Sequence, residues 1–132
     1  MKKNIGIKWL KQALHDLEMA EKNIDIGGYD IAAFLSHQSV EKLLKALLAF
    51  RGKTIPKIHY IDDLGQKLNL SDKILDEVID LTSDYIFSRY PDVSQHVPYE
   101  EYTKEIATNR VAKAKTIFNK LKPEWKGELN NE

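Results

Sequence analysis

Residues 29–48 read YDIAAFLSHQSVEKLLKALL, and this stretch decides the fold. Phe34, Leu35, Val40, Leu43, Leu44, Leu47 and Leu48 make it a mostly apolar helix, the kind that forms the inner wall of a bundle. Gln38, Glu41, Lys42 and Lys45 interrupt that wall. Burying such groups costs free energy unless each finds a partner, so one edge of the helix must face another polar surface. That surface is a neighbouring helix, a second subunit or a ligand.

Working outward, Leu10, Ala13, Leu14, Leu17, Ala20 and Ile24 recur at helical spacing and predict a first helix over 7–26. Gly27 and Gly28 end it, because glycine accepts the left-handed conformation common at helix C-termini. The second helix runs from Tyr29 to about Phe50. A turn-rich connection over 51–56 leads to a short third helix over 60–68, with Ile61, Leu64 and Leu68 on one face. Ser71 is the expected N-cap of a fourth helix, whose early acids Asp72, Asp76 and Glu77 suit the positive end of a helix dipole. Its apolar stripe is Ile74, Leu75, Val78, Leu81, Tyr85 and Ile86, and Pro91 ends it at about Arg89. After a loop to Pro98, Ala107, Val111, Ala114, Phe118 and Leu121 predict a last helix over 99–121. A frayed tail over 123–132 is expected to follow. The fold class is therefore all-α, an antiparallel four- to five-helix up-and-down bundle.

The 132 residues fit one domain spanning 1–132, large enough to bury a core without disulfides or a structural metal. Twenty basic and twenty acidic side chains cancel, leaving only local patches from which to argue nucleic-acid binding. Asp72, Asp76, Glu77, Asp80 and Asp84 make one acidic flank, and Arg110, Lys113, Lys115, Lys120, Lys122 and Lys126 a basic one. The two flanks complement each other or a partner. Without cysteine there is no disulfide framework, thiolate nucleophile or cysteine-based zinc site, and a cytoplasmic setting fits best. No apolar run approaches a membrane span.

None of His15, His37, His59 and His96 follows a glutamate by three positions, which excludes the Glu-x-x-His pattern of di-iron bundles. His37 and Glu41, one turn apart, read as a hydrogen-bonded core pair sooner than as metal ligands; no metal and no cofactor are expected. Arg89 and His96, with six residues between them, suit phosphodiester chemistry. A guanidinium can stabilise charge developing on a phosphate, and an imidazole with a pKa of about 6.5 can move a proton near neutral pH.

Trp9, ALHDL at 13–17, AAF at 32–34, QSVEKLLKA at 38–46, Gly52, His59, Leu64, Tyr85 and RYP at 89–91 together resemble the HEPN domain. The resemblance covers nearly the whole chain and points to the branch of small stand-alone prokaryotic proteins. It implies a helical bundle that pairs as a homodimer, stands beside a minimal nucleotidyltransferase in a toxin–antitoxin-like pair, and binds nucleotide or RNA. On this reading Gln38, Glu41, Lys42, Lys45 and Tyr90 are nucleotide-binding or interface groups. The alternative it implies is a metal-independent endoribonuclease, with Arg89 and His96 as the catalytic pair at a dimer cleft. A third reading is an interaction protein whose acidic fourth helix docks a basic partner.

Overall fold

The computed structural model describes residues 2–82, 92 and 97–131. These form α1 (Lys2–Asp25), α2 (Tyr29–Phe50), α3 (Ile61–Lys67), α4 (Asp72–Ile79), α5 (Pro98–Glu101), α6 (Lys104–Lys120) and α7 (Lys122–Trp125). A 3-10 turn over Lys126–Asn131 follows, and there is no strand among the described residues. None of the described helices is long and apolar enough to cross a membrane.

Short connections force the helices to double back. Gly27 takes φ 79°, so its amide reaches the Ile24 carbonyl at 3.2 Å while the Gly28 amide reaches Asn23 at 2.8 Å. This pair of bonds satisfies carbonyls that the end of α1 would otherwise orphan, and a side chain at Gly27 would strain the turn. The same pattern closes α3, where Asn69 supplies the left-handed residue at φ 54°.

The α1–α2 hairpin is the base of the bundle. Gly6 of α1 lies against Phe50 and Ala46 of α2, so closely that a Cβ there would sit 2.6 Å from the Phe50 ring. At the other end Ala20 packs with Ala32, which makes the two helices antiparallel. Ala107 and Val111 of α6 join that small-residue cluster, whereas Phe118 and Leu121 join Leu10, Val40, Leu43, Leu44, Leu47 and Leu48 in the main core. Helix α6 therefore runs antiparallel to α1, and α4 packs on α6. The expected up-and-down helical bundle is present.

Three local expectations differ from the structure. The last helix is not continuous from Tyr99, because Tyr102 and Thr103 are extended, and the Thr103 hydroxyl accepts from the Ile106 amide at 3.2 Å as the N-cap of α6. Helix α4 stops at Ile79 and passes through i→i+3 turns to Thr82, whose hydroxyl donates to the Ile79 carbonyl at 2.7 Å. Residues 83–89, over which the fourth helix was expected to continue, lie outside the described residues. The segment just after Leu121 is packed on the bundle through Trp125, which is buried, donates Nε1–H to the Phe118 carbonyl at 3.0 Å, and meets the Phe118 ring edge-on at 6.3 Å.

Candidate functional site: the polar string of α2

His37, Glu41 and Lys45 lie one helical turn apart and share a face of α2. All three are buried. The Lys45 ammonium donates to Glu41 Oε2 at 2.9 Å and stands 5.2 Å from the centre of the Trp9 ring on α1. His59, from the connection between α2 and α3, brings Nδ1 to 3.2 Å from the same Glu41 oxygen. One carboxylate thus ties together α2, the α2–α3 connection and, through Lys45, the Trp9 face of α1. An isolated buried charge costs several kcal/mol, and mutual pairing is what makes these two tolerable inside the bundle.

Glu41 Oε1 is buried and takes no hydrogen bond among the described residues. The expected His37–Glu41 hydrogen bond is accordingly absent, because the carboxylate turns its other oxygen toward Lys45 and His59. Burial pushes the His37 imidazole down to about pKa 4, and the nearby His59 charge adds to the effect. It is therefore neutral at pH 7. No group of three or more histidine, aspartate or glutamate side chains among the described residues could hold a metal ion.

Gln38 and Lys42 occupy the neighbouring stripe, also one turn apart, and are only half-buried. Lys42 forms an ion pair with Asp16 of α1, which also accepts from Gln12 Nε2 at 2.9 Å. Asp16 is buried, on the face of α1 that also carries the buried Ala13 and Ala20. Sequence spacing alone did not pair Lys42 with Asp16; an acid at that helical position, on the apolar face of the first helix, is the signal that could have found the pair. His59 gave no comparable signal, since nothing in a turn-rich connection fixes where its ring points.

Of the sequence-derived site residues, the structure brings Glu41 and Lys45 together directly, and places Gln38 and Lys42 on the accessible edge beside them. Arg89, Tyr90 and His96 lie outside the described residues. The acidic and basic flanks do meet. Lys113 of α6 reaches Asp80 at 2.8 Å and Glu77 at 3.6 Å, and its pKa is raised chiefly by the hydrogen bond to Asp80, with burial opposing. Lys115 pairs with Glu21 of α1.

The bundle as a whole is similar to known proteins. The HEPN domain model matches residues 7–125. "Putative toxin MJ1304" of Methanocaldococcus jannaschii is 27% identical, with 86% of this chain and 84% of that protein covered. Two solved structures superpose on the bundle. One is TT1696 from Thermus thermophilus, with a TM-score of 0.82 and 28% identity over 90% of this chain and 97% of the other. The second is ST0689, an archaeal HEPN homologue, with a TM-score of 0.75 and 37% identity over 90% and 96%. With the family model spanning the bundle from α1 through α7, the chain belongs to the HEPN domain family.

Proposed function

We propose that this protein is the toxin-like member of a pair, a homodimeric helical module that binds RNA and is held in check by a nucleotidyltransferase partner. The observation that carries this reading is the HEPN match along the bundle, together with the similarity to a protein named as a toxin. The geometry of α2 supports a division of labour. Glu41 and Lys45, buried and paired, brace the site, while Gln38 and Lys42 on the half-buried edge are the groups positioned to meet a second subunit or a nucleotide.

The second reading is an endoribonuclease, favoured by the Arg89–His96 spacing, with Tyr90 beside the arginine. In it Arg89 clamps the scissile phosphate and His96 moves the proton as the RNA 2′-hydroxyl attacks, leaving a cyclic phosphate. One experiment separates the two. Purified protein is incubated with labelled single-stranded RNA in EDTA, and its size is measured by light scattering at micromolar concentration. Binding by a dimer without cleavage supports the module. Cleavage that disappears in both Arg89→Ala and His96→Ala establishes the enzyme. A monomer that neither binds nor cuts RNA overturns both readings.

A further inference from the structure

The net charge of the chain is zero, yet the charge is not evenly distributed along the bundle. At one end the Arg51 guanidinium donates to the Leu68 carbonyl at 2.7 Å and to Glu124 at 2.6 Å, joining the last turns of α2 and α3 to α7. Lys53, two positions after Arg51, donates to the Lys67 carbonyl at 3.4 Å. Lys122 and Lys126 stand two positions to either side of Glu124, and Lys120 closes α6 just before them. With consecutive Cα atoms about 3.8 Å apart, all of these sit close around the Arg51 bridge.

Lys53, Lys67, Lys120, Lys122 and Lys126 are all exposed. Of the acids among them, Glu124 is engaged by Arg51 and Glu128 by Lys3 at 3.5 Å, while Asp63 lies one turn before Lys67 on α3 and leaves the balance of this end positive. Lys53 and Lys67 also flank one concavity of about 250 Å³, which Thr54, Pro56 and Leu48 complete and no acidic side chain lines. The opposite end, where α1 turns into α2 and where α5 and α6 begin, is acidic on balance, with Asp25, Asp30, Glu100, Glu101 and Glu105 against Lys22 and Lys104. The 17 residues of α6 separate the two ends by about 25 Å.

We propose that this basic end binds the phosphodiester backbone of single-stranded RNA. Lysine is depleted in protein–protein interfaces, whereas as a mobile point charge it neutralises phosphates and releases their counterions without demanding a fixed geometry. The Lys53–Lys67 concavity receives one phosphate group, and Lys120, Lys122 and Lys126 extend the track across the end of the bundle. The proposal rests on the RNA-binding reading above and adds where the strand lies. The acidic far end repels the same strand, so the bound RNA is confined to one pole of the molecule.

The test is fluorescence anisotropy of the full chain with a labelled oligouridine of about 20 nucleotides, titrated at several salt concentrations. The triple variant Lys53→Glu, Lys122→Glu, Lys126→Glu should bind about tenfold more weakly, and its log–log salt slope should be shallower by about 2. A control variant, Lys22→Glu with Lys104→Glu, should bind like wild type. Circular dichroism melting confirms that both variants fold. RNA binding that survives unchanged in the folded triple variant overturns the basic-end proposal and leaves the RNA reading standing. Wild-type protein that binds no oligouridine overturns both, as does equal binding of polyglutamate in place of a salt-sensitive RNA complex.

Discussion

The Lys45 ammonium meets Glu41 Oε2 at 2.9 Å with both side chains almost wholly buried, at 5% and 4% exposure. The pair holds together because each charge is the other's main compensation inside the bundle. Removing one partner strands the other.

Truncating either residue alone, as Glu41→Ala or Lys45→Ala, should therefore cost about 3 to 5 kcal/mol of stability. The double variant Glu41→Leu, Lys45→Met should recover most of that loss, because apolar groups of similar volume leave no stranded charge. Urea unfolding of wild type, Glu41→Leu, Lys45→Met and their double variant closes the cycle and gives the coupling energy directly. Independent, additive losses would mean that the pair is not what stabilises this face of α2.

The buried His37 makes stability depend on pH in a definite direction. Its folded pKa of about 4 lies below the unfolded value of about 6.5, so the unfolded chain binds the extra proton between those limits. The neutral imidazole is fully accommodated above pH 6.5, and stability falls as pH drops from there toward 4. The loss attributable to this group reaches about 3 kcal/mol. Subtracting the urea-derived profile of His37→Gln from that of wild type isolates it from the nearby carboxylates. A flat difference across this window would contradict the buried, neutral assignment.

Trp125 and Phe118 should each cost about 3 to 5 kcal/mol when cut to alanine, since both are buried and face each other. Phe34 is only half-buried, so Phe34→Ala should cost clearly less, about 1 to 2 kcal/mol. Chemical denaturation ranks the three. A Trp125→Ala protein as stable as wild type would show that the C-terminal turn is dispensable.

Gly6 faces Phe50 with no room for a side chain. Gly6→Val should destabilise by about 1 to 3 kcal/mol through overpacking, despite the gain in backbone propensity. Phe50→Ala in the same chain should relieve part of that cost, and thermal melts of the single and double variants read the compensation. No relief would place the strain elsewhere.

The helical frame was legible because α1, α2 and the seam of α6 carry their apolar residues at helical spacing, and Gly27 marks the first reversal. The breaks were harder to see. Thr103 caps α6 in the middle of a pattern that periodicity alone reads as continuous, because a cap is a matter of one hydroxyl and one amide. The place of Trp125 was not legible because a lone tryptophan in a polar segment carries no periodicity, and its indole bonds a carbonyl seven residues back. In the site, helical spacing put Glu41 and Lys45 on one face. Nothing local could announce that His59 and Trp9 would complete their surroundings, since both arrive from other segments of the chain.

The Arg51–Glu124 bridge spans 73 positions of sequence. The α1–α2 hairpin, by contrast, needs only the few residues of its turn, and closing a short loop costs little chain entropy. Folding should therefore begin at the hairpin and finish later, when α7 reaches Arg51, a contact with a far longer loop to close. The basic end would then assume its shape late, so that a chain still folding has its hairpin in place before its lysines are gathered at one pole.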